Sequence, residues 1–296
     1  MKKRFISAIL FVSLLLSSLF ISGFTVQTSA LEWNFGDVVA YYSPVYLSNP
    51  GGSSVFAYRF DNYSSASAGA TFENNQNTFF GNHFPNAKRF ASATARYNCH
   101  SYAWASENLT NPNYWVNSPA NYYKTGNNYY EVSTPQFGDI ICYFDDNGTP
   151  NDTSDDINLH SGFVVKTGVQ SSNNLCGNSN TVIVESKWGA AGVYRHNGYE
   201  CPYTDYVVGL YSPTPEENER AEYVKYYRRS GHTHNFNIYT IIDSDLEYHE
   251  CKCSCGRILR AEHVWTIVMN DPYSHVSPTY IPMSECTRCG MRALNP

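Results

Sequence analysis

Three runs of β-branched and aromatic residues constrain this chain most: GDIICYF from Gly138, HSGFVVKTGV from His160 and TVIVESKWG from Thr181. Each is bounded by turn-forming residues and is short enough to be a strand. A fourth run, DYVVGLY from Asp205, closes the series. Ahead of them, YNCHSYAWASENL reads as a short amphipathic helix that an asparagine caps and Asn111-Pro112 stops,. A helix followed by antiparallel strands predicts an α+β domain over residues 91–213, with the Cys99 helix packed on the sheet. In the first run Ile140, Cys142 and Phe144 share one face, which makes Cys142 a core residue.

Cys99 opens that helix. The first turn offers unpaired backbone N–H groups and the positive end of the helix dipole, and both favour thiolate over thiol. With a histidine from a later strand, such a thiolate attacks carbonyl carbon. The alternatives for Cys99 are a small buried hydrophobe and one half of a disulfide. Its neighbour His100 points about 100° around the helix, a poor place for a base, and His196, in GVYRHNGYECP, is a second rival.

The compartment follows from residues 1–30. Lys2, Lys3 and Arg4 precede an apolar stretch from Phe5 to Phe24, and Thr28-Ser29-Ala30 supplies small residues for cleavage, the pattern of a secretory signal peptide. The alternative is a retained membrane anchor. No second apolar stretch follows, so no integral membrane segment is expected after signal removal. Removal takes the formal charge from −6 to about −9, which argues against nucleic acid as a partner. Residues 31–90 carry one strand-like run, DVVAYY from Asp37, and otherwise Gly, Ser and Asn-rich sequence; an N-terminal elaboration, a lid and a pro-segment all fit. Pro213 and Pro215 mark a boundary. EENERAEYVKYYRRS from Glu216 has acids early and bases late, as a helix dipole favours, and predicts a linker helix over 214–231,.

The order of these pieces resembles the NlpC-type and CHAP-type cysteine peptidases and amidases of bacterial cell walls. Asn98-Cys99 opens a helix, Gly138-Asp139-Ile140 and His160-Ser161-Gly162 open strands, and Val182 to Gly189 follows; the resemblance covers roughly residues 91–211. It implies a reduced papain-like fold, Cys99 as nucleophile, His160 as general base and later general acid, and Glu185 as the residue orienting the imidazole. Adjacent antiparallel strands can bring the first residue of one beside the last of its neighbour, which agrees with that assignment. The backbone N–H of Cys99, with Tyr97 or Asn98, would meet the oxyanion, unless Asn98 is spent as the helix cap. Two positions after Glu185, where CHAP-type members often carry a further polar residue, this chain has Lys187. Lys187, Trp188 and His196 are candidates for the substrate cleft, Trp188 equally for the core; for Glu185 the alternative is an ordinary strand-end carboxylate.

Two segments suggest metal. Asp145, Asn147, Asp152, Asp155 and Asp156, in the loop over residues 145–156, offer calcium-type oxygens without EF-hand spacing; an acidic loop kept soluble by its charge is the alternative,. Residues 232–296 contain an internal echo: HNF from His234 and HVW from His263 each lead to a Cys-Gly knuckle, Cys253-Ser-Cys255-Gly and Cys286-Thr-Arg-Cys289-Gly. Two zinc schemes fit. Four cysteines hold one ion in a zinc-ribbon-like module, or each half holds its own: His234, His249, Cys253 and Cys255, then His263, His275, Cys286 and Cys289. Disulfide stapling is the third arrangement, since the compartment is oxidising.

The chain is therefore expected to be a secreted or wall-associated thiol hydrolase that cuts amide bonds in peptidoglycan peptides through Cys99, His160 and Glu185, with no cofactor for catalysis. The alternatives are a secreted effector acting on protein side chains and a non-catalytic wall-binding protein.

Overall fold

A computed structural model describes residues 31–34, 38–105, 114–123, 128–169, 182–204, 221–232, 234–242, 247–254, 257–269 and 283–294. Residues 1–30, the expected signal peptide, and the DYVVGLY run lie outside these residues.

Strands dominate the molecule, and the α+β papain-like expectation is corrected to a mostly-β architecture of four antiparallel sheets. The first sheet joins β1 (Leu31–Asn34), β2 (Val39–Ser48), β3 (Ser54–Tyr63) and β5 (Tyr114–Trp115), in that order. Between β3 and β5 in the chain come the 18-residue helix α1 (Ala66–His83) and the short strand β4 (Lys88–Arg89). The central sheet has seven strands in the order β4-β10-β9-β8-β7-β11-β6. Its strands are β6 (Tyr129–Val132), β7 (Ile140–Asp145), β8 (Ile157–Thr167), β9 (Val182–Lys187), β10 (Val193–Asn197) and β11 (Tyr223–Arg229). Two three-stranded sheets complete the chain: β12 (Phe236–Thr240), β13 (Tyr248–Cys253) and β14 (Ile258–Glu262), then β15 (Trp265–Met269), β16 (Met283–Cys286) and β17 (Arg292–Leu294).

The three diagnostic runs are strands β7, β8 and β9, as expected. The predicted linker helix is not: Tyr223–Arg229 forms β11, between β7 and β6. The run YVKYYRR has the Tyr and Val of a strand, and burying Tyr226 and Tyr227 outweighs the helix-like charge order,. The Asp139 of the GDI motif holds this strand in place. Its carboxylate takes Nε and Nη2 of Arg228 at 2.8 and 2.7 Å, a bidentate pair with Asp139 itself buried,. Gly138 precedes it at φ +91°, a backbone state that glycine adopts without strain,.

Alternation along the central strands divides the core into two layers. Ile140, Cys142, Phe144 and Phe163 face one side with Tyr102 and Trp104, and the same layer takes in Val55 and Ala57 of β3 and Cys251, Cys253 and Leu259 of the C-terminal sheets. Ile141, Tyr143, Val164 and Val184 face the other side, where Phe80 and Phe84 from the end of α1 and Trp188 cover them. Residues 38–90 thus contribute to both layers, and the C-terminal segment shares a core with the central sheet. Gly162 lets β8 and β9 approach closely, since a Cβ there would lie 2.7 Å from Val184 Cγ1 and 2.8 Å from Ser186 Cβ.

Trp188 belongs to this second layer and not to a cleft. It is fully buried, stacked on Tyr194 at 4.2 Å and edge-on to Phe80 and Phe84. Trp188→Ala is expected to lower the unfolding free energy by about 3–5 kcal/mol, read from urea denaturation; a loss below about 1 kcal/mol would place the ring outside the core.

Candidate functional site

Cys99 begins a helical segment that continues as a π-helical turn, Ser101–Ala105. Asn98 caps it. The Asn98 side-chain oxygen accepts the N–H of Ser101 at 3.0 Å and of Val116 at 3.2 Å, while its Nδ2 donates to the Val116 carbonyl. Its amide is therefore committed to the cap, the alternative to the oxyanion role. Tyr97 is half-buried under the Lys187 ammonium, 5.0 Å from the ring centre.

The Cys99 thiol is 4% exposed. Burial pushes it up to about 11, although the backbone N–H groups of Ser161 and His100 and the charge of Lys187 pull the other way. The helix start thus supplies the expected stabilisation, and desolvation outweighs it.

Ser161 organises this side of the sheet. Its hydroxyl meets His100 Nδ1 at 2.9 Å, Trp104 Nε1 at 3.0 Å and Cys142 Sγ at 3.5 Å. Cys142 and Ser161 are cross-strand partners, as are Tyr143 and His160. His160 therefore faces the opposite layer. Its ring stacks on Tyr203 at 4.0 Å and 10°, and neither ring nitrogen has a hydrogen-bond partner among the described residues.

Glu185 pairs in register with Phe163, three residues from His160 on β8, and so shares the face of Ser161 and Phe163,. Its carboxylate accepts the Tyr102 hydroxyl at 2.7 Å and Nη2 of Arg195 at 2.7 Å. The fold thus brings Cys99, Ser161 and Lys187 together but turns His160 and Glu185 to opposite faces of the sheet.

Lys187 is completely buried and donates to three carbonyls, of Thr94 at 2.8 Å and of Gly189 and Ala191 at 2.5 Å each. Burial draws it down to about 7. It is enclosed, not part of a cleft. His196 is buried too, bonded to Ser186 Oγ at 2.8 Å and the Asn197 carbonyl at 2.7 Å, yet lines a cleft of about 680 Å³ between the central sheet and the C-terminal sheets. A smaller cavity of about 210 Å³ reaches Tyr97, Tyr102 and Glu185.

The C-terminal segment holds the better-formed constellation. One metal-ligating atom each from His249, His263, Cys286 and Cys289 lies within 4.8 Å of the others. The two Nδ1 atoms are 3.3 Å apart, Cys286 Sγ is 3.8 Å from His249 Nδ1, and Cys289 Sγ is 3.4 Å from His263 Nδ1. Tetrahedral zinc with bonds of about 2.0 Å to nitrogen and 2.3 Å to sulfur has edges of roughly 3.3–3.8 Å. The set fits.

A second group joins His232, His234 and Cys253, with Cys253 Sγ 3.2 Å from His232 Nε2. Cys255 and His275 lie outside the described residues. Both zinc schemes are corrected: the cysteines of the two knuckles belong to separate groups, and His249 joins the later one because β13 and β14 bring its ring within 4.9 Å of His263. His232 escaped the sequence reading, although the spacing His232-Thr-His234 was the available signal.

The five oxygen-bearing loop residues do not converge. Instead Asp145 and Asp146 group with Glu222, and Asp145, Asp146, Asp152 and Asp155 accept hydrogen bonds from within the loop. All seven described cysteines are free thiols.

No family model, curated protein or solved structure matches this chain.

Burial lowers His100 and His196 to about 4 and His160 well below its usual range. Unfolded, each binds a proton near pH 6.5; folded, each stays neutral, so stability falls as pH drops below 6.5. Between pH 6.5 and 5 His100 and His196 each remove about 1.5 kcal/mol. Denaturant midpoints across that range should decline steeply and His196→Gln should flatten the decline; a pH-independent midpoint would contradict neutral burial.

Proposed function

We propose that this is a secreted zinc protein whose C-terminal segment takes two ions. His249, His263, Cys286 and Cys289 bind one, and His232, His234 and Cys253 bind the other, with Cys255 as the fourth ligand supplied by the sequence. The observation that supports this most is the set of edge lengths among the first four ligands, which matches a closed tetrahedral site of structural type. Zinc would supply cross-linking to two small sheets that have little core of their own. It would hold His249 of β13 against the β15–β16 sheet and so tie both halves of the segment together. Metal analysis of the purified protein is expected to give two zinc ions per chain, and Cys286→Ser one. Oxidised cysteine pairs in place of bound zinc would overturn the reading.

A second reading concerns the central sheet: amide hydrolysis in peptidoglycan peptides, with Cys99 as nucleophile. Its support is the placement of Cys99 at a capped helix start, receiving backbone N–H groups beside the Lys187 cation, close to the cavity at Tyr97 and Tyr102. Cys99 would attack the carbonyl carbon, a thioacyl intermediate would form as the amine leaves with a proton, and water would release the acid. His160 and Glu185 do not act as a pair in this arrangement. Lys187, whose Nζ is held by three carbonyls, would contribute its charge beside the thiol. Purified walls should release muropeptides with the wild type and about a thousandfold less with Cys99→Ala. Equal release by both proteins would rule out Cys99 as the nucleophile, and none by either would favour the non-catalytic binding protein instead.

A further inference from the structure

The C-terminal segment buries a charge against the central domain. Arg257 is 2% exposed, and its guanidinium lies 4.1 Å from the centre of the Phe163 ring. Its Nη1 donates to the carbonyl of Tyr102 at 3.3 Å and its Nη2 to that of Ala103 at 3.2 Å. Both carbonyls belong to the π-helical turn that continues from Cys99. The donor to the Tyr102 carbonyl comes from a residue 155 positions away. Tyr102 in turn donates its hydroxyl to Glu185, so the arginine supports the whole Cys99 side of the sheet.

Arg257 also sits at the first knuckle. The N–H of Cys253 donates to the carbonyl of Arg257 at 2.8 Å, closing the turn between β13 and β14. Cys253 is a member of the His232, His234 group. The strand β14 fixes the backbone of Arg257 on one side and the knuckle fixes it on the other. Whatever holds the knuckle therefore sets the guanidinium.

We propose that Arg257 is a positioning residue linking the first His/Cys set to Cys99: with metal in that set, Arg257 clamps the Tyr102 and Ala103 carbonyls and keeps Cys99 closed against β8. This rests on the zinc reading for the C-terminal segment and is independent of any hydrolase activity. Loss of the ion loosens the knuckle, withdraws the guanidinium, and lets the helical segment and its thiol open. A buried arginine that only fills space would leave metal and thiol uncoupled.

The test is the rate of iodoacetamide labelling at Cys99, located by peptide mass, on the full chain at pH 8, with zinc content measured in parallel. In the wild type, chelation is expected to speed Cys99 labelling at least tenfold while Cys142, fully buried in the core, stays unlabelled. Arg257→Ala should show the same acceleration with both ions bound, and chelation should add less than twofold. Arg257→Lys should lie between and keep its response to chelation. His232→Ala, which removes a ligand of the first set, should open Cys99, whereas Cys286→Ser, in the second set, should not. These two variants decide the matter if Arg257→Ala does not fold. The proposal is overturned if chelation accelerates Arg257→Ala as much as the wild type, if Cys142 labels in step with Cys99, or if Cys286→Ser opens Cys99 and His232→Ala does not. A zinc content of zero in the wild type overturns the zinc reading and the proposal with it, whereas two bound ions whose removal leaves Cys99 labelling unchanged overturn the proposal alone.

Discussion

The alternation of His160 and Ser161 on β8 decides what this protein can do. Consecutive residues of a strand face opposite sides of the sheet, and here Ser161 takes the side of the Cys99 segment. Its hydroxyl ties together His100, Trp104 and Cys142, and its backbone N–H reaches the Cys99 sulfur. His160 consequently projects into the layer closed by Tyr203 and Tyr143. The chemistry available to Cys99 is set by that choice.

Enclosed charge is the second organising theme. Asp139 with Arg228, Glu185 with Arg195, Lys187 with three carbonyls and Arg257 with two are all drawn toward the interior and hydrogen-bonded there. Such groups contribute little net stability compared with well-packed apolar residues, but breaking one partner is costly. They therefore fix which strand sits beside which. Asp139 holds β11, Glu185 ties β9 to β10 and to Tyr102, and Arg257 holds the C-terminal sheets to the helical turn. The His/Cys sets sit at the far end of the same chain of contacts.

The strands β7, β8 and β9 were legible in the sequence because β-branched and aromatic runs ended by glycine and asparagine leave few alternatives, and Ile140, Cys142 and Phe144 do share a face. The strand β11 was not, because its charge order imitates a helix and only its position between β7 and β6 explains the buried tyrosines. Of the N-terminal sheet only the DVVAYY run, which leads into β2, was legible; one side of β3 packs Val55 and Ala57 inward while the other stays aromatic and partly exposed, so no simple period appears there. At the site, residue types were readable and faces were not. Neighbouring strands can bring His160 and Glu185 close along the sheet, but only the register of Phe163 with Glu185 shows them on opposite sides. Most members of the two His/Cys groups were legible from the Cys-Gly knuckles and the histidines that precede them. What the sequence could not display was the exchange of His249 to the later set, which depends on how β13 and β14 pair.

The account turns on which way the His160 ring faces, and proton–proton contacts measured by nuclear magnetic resonance report this directly. The ring protons of His160 are expected to show contacts with the rings of Tyr203 and Tyr143, and none with the β-protons of Cys99 or the γ-protons of Glu185. Contacts between His160 and Cys99, with those to Tyr203 absent, would contradict it.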